Sequence, residues 1–364
     1  MSPVETVSDF RIDRTLADTS VIVALKDDVR VFDCIASIDE GVEIVLALNG
    51  TPTELRRRLT NHPRTPVLAE IPETGNLGAA YNAGIEAASG RYILLMDSDC
   101  RFATGTIRAM ASLVREYPVV KGQVVYGMSP GLLSTLIARI REFDEGDYVS
   151  ALSPPLIYDR TIAEHIGGYH FDPLIHWCED REFDFRLQLA DIPVLYEGSA
   201  VILHDAQRGA QDLRSYWRYG TGEAIGQQLG LFTTPAVPLI WRLASDLVIV
   251  MECARAKGLL AGAYYVLTLG AFHAGTMWHL LVDPYKVRSR YPLTARRVRM
   301  LRSIPQHCTA LTDEQQRVLR AHHARAGRYI NPCPEFRQML EAVRAKQTAG
   351  ADLTGVCDGI RAAT

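Results

Sequence analysis

The stretch from Thr74 to Phe102 constrains the fold of this chain most, because it carries several kinds of local structure in a fixed order. Two glycines near its start frame a loop and are free to adopt positive φ. Residues 79–88 are rich in strong helix formers, and a glycine soon after them is a natural stop. Tyr92–Met96 is a short apolar run, which predicts a strand buried on both faces. The stretch therefore predicts a loop–helix–strand unit of an α/β sheet.

Asp97 and Asp99 follow that strand directly, with Ser98 between them. Open α/β sheets bind their ligands at the C-terminal ends of the strands. Two carboxylates placed there suit Mg²⁺ or Mn²⁺ held together with substrate phosphates. Because Asp and Ser are also ordinary turn residues, the alternative is a polar turn that only ends the strand. The adjacent Cys100 is predicted to be a small buried hydrophobic residue, not a nucleophile.

Composition limits the classes of protein that this chain can belong to. Its 364 residues suffice for one large domain or for a domain with an appendage, and 48% apolar and 22% charged residues are typical of globular proteins. A formal net charge of −3 argues against a nucleic-acid-binding protein. Seven cysteines without a C-x-x-C pair indicate free thiols in a reducing compartment. The N-terminal residues lack the basic and apolar regions of a secretory signal, so a cytoplasmic protein is expected.

Further strands and helices alternate before this stretch. Apolar runs at 20–25, 42–48 and 67–71 read as strands, and helices are predicted at 29–38 and 53–60. This alternation predicts a doubly wound, mostly parallel sheet. A G-x-G-x-x-G fingerprint is missing, which disfavours a dinucleotide-dependent oxidoreductase.

A second informative block lies between residues 167 and 187. A Gly-Gly-aromatic turn opens it, and apolar residues at helical spacing predict an amphipathic helix from Glu182 onward. Glu179 and Asp180 precede this helix, where the helix dipole favours carboxylates. One interpretation is that the two acids only help the helix to start, and the other is that they carry chemistry.

The two blocks together resemble the family 2 glycosyltransferases of the GT-A fold. That family has an Asn-x-Gly loop, an Asn-x-Gly helix and a strand ending in D-x-D, followed by a Gly-Gly-aromatic turn, a Glu-Asp pair and an Asp and Arg after it. The matching positions here are Asn76, Gly78, Asn82, Gly84, Gly90, Asp97, Asp99, Gly167, Gly168, Glu179, Asp180, Asp184 and Arg186. The resemblance covers about residues 18–220 and implies a GT-A fold.

The resemblance also implies an activity. A family 2 enzyme of the inverting, hexosyltransferase-like type moves a sugar from a nucleoside-diphosphate donor to an acceptor hydroxyl. By the same resemblance, Mn²⁺ or Mg²⁺ binds Asp97 and Asp99, and Asp180 is the general base, with Glu179 beside it in the catalytic pair. His204 follows an apolar strand, and in relatives a histidine there completes the metal site or touches the diphosphate. A histidine in such a place is otherwise structural.

The nucleotide contacts are expected at the ends of the first two strands, where the chain departs from the commonest family pattern. Asp27 and Asn49 stand there, and the alternative is that both merely close turns. Arg214 and Arg218 lie four residues apart on a predicted helix, facing either the diphosphate and acceptor or solvent. The predicted donor-binding set is Asp27, Asn49, Asn76, Gly78, Asn82, Asp97, Arg214 and Arg218.

The resemblance and the composition together predict an α/β GT-A domain with an α-helical C-terminal appendage. The catalytic domain is placed at 1–230, with the nucleotide-sugar part at about 18–102 and the acceptor part at about 103–230. The helical region is placed at 231–364. Within it, 258–282 has no charged side chain and is long enough to span a bilayer, although a helix or helical hairpin docked on the protein is favoured. Peripheral membrane contact through 235–302 stays open as an alternative.

Two competing functions use similar residues. A nucleotidyltransferase on a related sheet would also need paired carboxylates and a metal, and a catalytically inactive protein could still bind a sugar nucleotide. The expected partners are a nucleoside-diphosphate sugar and a hydroxyl acceptor, which could be a small molecule, a glycan or a lipid-linked group. No nucleic-acid partner is expected.

Overall fold

A mixed sheet of eight strands forms the centre of the part of the chain that the structure describes. This computed structural model describes residues 14–71, 75–127, 129–145, 150–190, 192, 194–228, 239–287 and 289. The strands are β1 Thr19–Leu25, β2 Glu43–Leu48, β3 Val67–Glu70, β4 Tyr92–Asp97, β5 Cys100–Phe102, β6 Val119–Tyr126, β7 Leu156–Asp159 and β8 Leu195–His204. They lie in the order β3-β2-β1-β4-β7-β6-β8-β5. All run in one direction except β7 and β5, which are antiparallel to their neighbours.

Helices connect and follow these strands. A helical turn at residues 14–17 (α1) precedes β1. The others are α2 Val31–Ala36, α3 Thr53–Thr60, α4 Leu77–Ala87, α5 Thr106–Leu113, α6 Leu132–Glu145, α7 Ile162–His165, α8 Glu179–Leu189, α9 Gly209–Gln228, α10 Leu239–Lys257 and α11 Leu259–Val282.

The apolar runs of the sequence form the buried centre of the sheet, as predicted. In β1, Ile22 pairs with Val45 of β2 on one side and with Leu95 of β4 on the other, and all three are fully buried. A Cβ at Gly84 of α4 would overlap the Ile22 side chain, so this glycine lets α4 lie close against the sheet. The parallel register brings the C-terminal ends of β1, β2 and β4 to one edge.

Helices α10 and α11 form a hairpin that packs on α6 and α9, as the docked-helix interpretation predicts. Helices α9 and α11 approach closely through glycines. A Cβ at Gly275 of α11 would overlap the carbonyl oxygen of Trp217, and one at Gly220 of α9 would overlap that of Phe272. Among the described residues, none of the helices combines the length and apolarity needed to cross a membrane.

We expect Gly275→Ala to lower the free energy of unfolding by about 1 to 3 kcal/mol, because the added methyl group must push two helix backbones apart. Gly270→Ala is the matched control, since a Cβ at Gly270 on the same helix has no atom within 4 Å. That variant should gain up to about 1 kcal/mol from better helix propensity. Denaturant unfolding followed by far-UV circular dichroism measures both, and equal stabilities for the two variants would contradict the close packing.

The predicted fold class is confirmed, with an α/β unit around a mostly parallel sheet and a helical part after it. The division of the chain at residue 230 stays a prediction. The part of the predicted helical region beyond residue 289 lies outside the described residues.

Candidate active site

Asp97 ends β4 and joins that strand end to helix α4. Its Oδ1 accepts a hydrogen bond of 2.8 Å from the hydroxyl of Tyr81, a fully buried side chain of α4. Burial, followed by the neighbouring charge of Asp99, raises the pKa of Asp97 to about 6. A carboxylate that is held and desolvated in this way is typical of a functional site.

Asp99 is the centre of a group that could hold a metal ion. Asp99, Cys100 and His204 each place one ligand atom within 4.8 Å of the others, and Asp97 is not part of this group. Burial, followed by the charges of Asp97 and Asp99, raises the pKa of the Cys100 thiol well above its usual value. Since a thiol ligates metals as the thiolate, Asp99 and His204 are the better pair. Cys100 is buried, as the sequence predicted.

The hydrogen bonds around His204 fix which ring nitrogen carries the proton. Nδ1 lies 2.7 Å from the carbonyl oxygen of Asp205, and a carbonyl can only accept, so Nδ1 is the donor. In the neutral ring, Nε2 is then the acceptor atom, and it lies 3.6 Å from Asp99 Oδ2. Two acceptor atoms at this distance are stabilised by a cation between them.

Gln207 supports the same placement of the His204 proton, because it faces the other ring nitrogen, Nε2. Its Oε1 faces Arg141 Nη2 at 3.4 Å, and arginine can only donate. The Gln207 amide nitrogen must therefore face His204 Nε2, where the distance is also 3.4 Å. Arg141 is in turn paired with the fully buried Asp212 of α9 at 2.7 Å. The orientation of His204 thus depends on residues of α6 and α9.

Arg30 is the cation that Asp99 contacts in this structure. Its guanidinium lies 3.3 Å from Asp99, 2.5 Å from Asp28 and 3.4 Å from Asp205. The bond to Asp28 is the main reason that the pKa of Arg30 is raised. Asp28, not the predicted Asp27, therefore points into this cluster, and Asp27 is exposed. The nucleotide role of Asp27 stays a prediction.

Asn49 holds the loop before α4. Its Nδ2 donates to the carbonyl of Gly75 at 3.0 Å, and its Oδ1 accepts from the amide of the same residue at 3.0 Å. Both ends of the side-chain amide are thus engaged by the loop. The predicted contact of Asn49 with the base stays a prediction, and the structure gives it a second role in positioning.

Asn76 joins the first sequence block to the second. Its Oδ1 caps α4 by accepting from the Ala79 amide at 2.8 Å. Its Nδ2 donates to the carbonyls of Pro173 at 2.9 Å and Ile175 at 2.6 Å. One side chain therefore starts the helix and holds the chain almost a hundred residues later.

Asn82 and Gly78 complete this junction. The amide group of Asn82 exchanges two hydrogen bonds with the backbone of Phe171, of 2.8 and 3.0 Å. A Cβ at Gly78 would lie 3.1 Å from Phe171 Cβ and 3.3 Å from Glu179 Cβ, so a larger residue would crowd the start of α8. The donor-binding roles predicted for these two residues stay predictions.

Glu179 and Asp180 form the first turn of α8. Asp180 accepts from the backbone amides of Ser153 at 3.2 Å and Arg181 at 2.7 Å. Burial raises the pKa of Asp180 to about 6, although these bonds and the charge of Lys121 oppose the rise. Burial and the charge of Asp180 raise the pKa of Glu179 to about 8. Burial thus raises the pKa of both neighbouring carboxyls above their usual values.

The two acidic groups belong to one electrostatic site. The charge of Asp180 contributes to the raised pKa of Asp97, and the charge of Asp97 contributes to that of Glu179. After burial, the charges of Asp97, Glu179 and Asp180 all raise the pKa of the Tyr81 hydroxyl, so this hydroxyl is influenced by both groups. The structure thus brings together the carboxylates that the two sequence blocks predicted.

Arg186 and Asp184 hold the loops around this helix. Arg186 is fully buried, pairs with Glu182 at 2.8 Å and stacks over the ring of Tyr169 at 3.9 Å. Asp184 accepts from the amide of Ala151 at 2.8 Å. These positions of the second block therefore hold the backbone around Glu179 and Asp180.

The two candidate arginines of α9 differ in environment. Arg218 lies over the ring of Trp177 at 4.3 Å, two residues before Glu179. Burial and the charge of Arg214 lower the pKa of Arg218. Arg214 is exposed. Arg218 thus contacts the segment just before Glu179 and Asp180, and the diphosphate or acceptor roles of both arginines stay predictions.

Several residues of the site were missed from the sequence, namely Asp28, Arg30, Lys121, Arg141 and Gln207. Lys121 had a usable signal, because it is a single charge within the apolar strand β6 and is nearly fully buried. Its Nζ donates to the carbonyl of Pro154 at 2.7 Å. Arg30, Arg141 and Gln207 contact partners far away in sequence, so no local pattern marks them, and Asp28 joins the site through its bond to Arg30.

Known proteins were compared with this chain. A family model described as Glycosyl transferase family 2 matches residues 28–159. Similar solved structures include a mannosyltransferase from Pyrobaculum calidifontis, in complex with GDP-Man and Mn²⁺, at 15% identity over 81% of this chain and 92% of that one, with a TM-score of 0.45. Residues 1–349 of TarS from S. aureus match at 14% identity over 90% and 91%, with a TM-score of 0.41.

A third similar structure is glucosyl-3-phosphoglycerate synthase from Mycobacterium tuberculosis, at 14% identity over 65% of this chain and 87% of that one, with a TM-score of 0.44. No curated protein sequence matches this chain. The family match includes α4, β4 and the Asp97-Ser98-Asp99 turn at the edge of the sheet. Residues 28–159 of this chain are therefore similar to the Glycosyl transferase family 2 domain.

Proposed function

We propose that this protein transfers a sugar from a nucleoside-diphosphate donor to an acceptor hydroxyl, with inversion at the anomeric carbon. The observation that carries the proposal is the meeting of two acidic groups from distant parts of the chain. Asp97 ends strand β4 with Asp99 just after it, Glu179 and Asp180 begin helix α8, and charges of both groups raise the pKa of the Tyr81 hydroxyl. The first group suits the diphosphate side of the reaction, and the second suits the acceptor side.

Asp180 is the proposed general base. The acceptor oxygen bonds to the anomeric carbon as its proton passes to the Asp180 carboxylate, and the bond to the diphosphate breaks with its electrons going to the leaving group. One direct displacement inverts the anomeric centre. A pKa of about 6 suits this role, because the group is ionised near neutral pH and yet more basic than an exposed aspartate.

A divalent cation fits the pair Asp99 and His204. The donor set is a carboxylate and the imidazole nitrogen that does not bond the Asp205 carbonyl, and the buried neutral thiol of Cys100 is a poor third ligand. This mixture suits Mn²⁺ better than Mg²⁺, which prefers oxygen ligands alone. When bound, the cation would neutralise charge on the departing diphosphate. Arg30 already supplies a positive charge beside Asp99.

Nucleotide product analysis tests the proposal. The full chain is incubated with a panel of nucleoside-diphosphate sugars, Mn²⁺ and candidate hydroxyl acceptors, and released nucleoside diphosphate is measured. A parallel arm supplies nucleoside triphosphates and sugar phosphates, and pyrophosphate is measured. We expect nucleoside diphosphate release in the first arm only. Pyrophosphate release would show a nucleotidyltransferase, and nucleotide binding without turnover in either arm would show an inactive sugar-nucleotide binder.

A further inference from the structure

Helix α11 presents one continuous apolar stripe to the outside of the protein. Its exposed positions recur every three or four residues, which places them on one side of the helix. Leu259 is 83% exposed, Leu267 58% and Leu281 75%. We name this stripe the α11 outer face, and it consists of Leu259, Leu260, Ala263, Val266, Leu267, Gly270, Ala274, Met277, Trp278 and Leu281.

The opposite side of α11 faces the protein and carries aromatic, small and polar residues. Tyr264 and Tyr265 lie in the hydrophobic cluster with α6, α9 and α10. Further along the helix, the Thr276 hydroxyl donates to the carbonyl of Gly220 at 3.0 Å, and His279 is fully buried. A helix on a water-exposed surface usually turns polar residues outward, whereas the α11 outer face has no polar side chain. The outer face therefore has the character of a contact surface.

The neighbouring helix widens this surface, and charges flank it. Leu247 and Met251 of α10 are 60% and 42% exposed. Residues 258–282 contain no Asp, Glu, Lys or Arg. Exposed Arg255 lies before α11, and exposed Lys286 lies just after it. The surface is thus apolar along its length, with positive side chains near both ends.

We infer that the α11 outer face docks on an anionic membrane surface, with the helix lying along the plane of the membrane. Apolar side chains of an interfacial helix enter the boundary of the acyl chains, while flanking cations meet anionic headgroups. Trp278 near one end of the stripe suits that boundary. The chain beyond α11 adds to the attraction, because 286–302 contains seven Lys and Arg residues and no Asp or Glu.

Two other candidates for covering the α11 outer face fit it less well. The predicted helix at 334–346 offers four large apolar side chains at helical spacing, Phe336, Met339, Leu340 and Val343. These are too few for a stripe that runs the length of a 24-residue helix, about 36 Å. A second copy of the chain would bring the basic ends of two surfaces together or leave them unmatched, whereas anionic lipid complements them.

Vesicle flotation tests the inference on the full chain. Phosphatidylcholine vesicles with and without phosphatidylglycerol are compared, in the absence of nucleotide and acceptor, so the result does not depend on the proposed activity. We expect the protein to float with the anionic vesicles and much less with the neutral ones. The double variant Leu267→Gln, Leu281→Gln should weaken binding to anionic vesicles by roughly tenfold or more. Val67→Gln is the control, since Val67 is 38% exposed on the edge strand β3.

Thermal melting should show that all three proteins fold alike, because the changed side chains are exposed. Unchanged flotation of the double variant would overturn the inference, and so would a wild type that fails to float. In that second case, sedimentation velocity identifies the occupant. A dimer that the double variant disrupts would show a second copy on the face, and a monomer would show that the chain's own C-terminal residues cover it.

Discussion

Asp180→Asn is expected to lower turnover by a factor of about 10² to 10⁴, or roughly 3 to 5 kcal/mol in barrier, while donor binding survives. The substitution keeps the shape of the side chain and removes the proton acceptor. Donor binding should persist because the groups proposed to hold the diphosphate, Asp99 and His204, lie at the other acidic group of the site. Turnover at saturating donor and acceptor, with a donor titration on the same variant, measures both quantities.

The pH profile separates the base from its neighbours. Asp180 must be ionised to accept a proton, so the rate should rise with pH through about 6, the pKa that burial gives this group. Asp97 has a raised pKa of about 6 as well, which makes the variant comparison necessary. If protonation of Asp180 causes the fall in rate at acidic pH, the residual activity of Asp180→Asn should no longer show that fall.

The main control for Asp180→Asn is its thermal stability, because the substitution also changes local hydrogen bonds. Both oxygens of Asp180 accept from backbone amides, and Asn has only one oxygen. One N–H donor is then left facing an NH₂ group, at a cost of about 1 to 3 kcal/mol in stability. Assays are therefore run well below the melting temperature of the variant. A fully active variant would place the base elsewhere, and loss of donor binding would place Asp180 in the nucleotide site or the folding core.

Much of the fold follows from local sequence, because the apolar runs of β1, β2 and β4 are buried on both faces. The order of the later strands does not. Strand β7 enters between β4 and β6 and runs antiparallel to both, although β6 precedes it in sequence. That order depends on pairing between strands that are far apart in sequence, and no local pattern predicts it.

The acidic residues of the site were predictable, but their supports were not. Asp97 and Asp180 stand in short recognisable patterns at a strand end and a helix start. Arg30 reaches Asp99 across 69 residues, and Arg141 reaches Gln207 across 66. Such contacts depend on the assembled fold. Asn76 was recognised by its motif, yet its side chain joins two loops, which the motif alone does not reveal.

The orientation of α11 could not be predicted from local sequence either. The sequence shows that residues 258–282 have no charge, which predicts a helix in apolar surroundings. Which side faces the protein depends on Gly220 and Gly275, where two backbones meet, and on the hydroxyl of Thr276. The close approach of the two backbones leaves many leucines of α11 outside, while Tyr264 and Tyr265 pack inside. A hydropathy pattern that is apolar on all sides does not record which side faces the protein.

Asp99→Ala is expected to abolish turnover and the stabilisation of the protein by nucleoside diphosphate with Mn²⁺. The physical reason is that Asp99 supplies the only carboxylate in the group of ligand atoms around His204 within the described chain. Nucleotide binding at a hundred times its dissociation constant should stabilise the wild type by about 2.7 kcal/mol, and this gain should disappear in the variant. Thermal unfolding with and without Mn²⁺ and nucleotide measures the gain.

Two further variants make the test of Asp99 specific. Cys100→Ala should keep the Mn²⁺-dependent stabilisation, because burial holds the neighbouring thiol in its protonated form, which is a poor ligand. His204→Ala should weaken it, because the variant loses the ring nitrogen that faces Asp99 and could bind the cation. Arg30 remains beside Asp28 in all three variants, so general loss of positive charge cannot account for a difference among them. If EDTA leaves both nucleotide binding and turnover of the wild type untouched, Asp99 does not act through a metal, and its pairing with Arg30 becomes the explanation for any loss in Asp99→Ala.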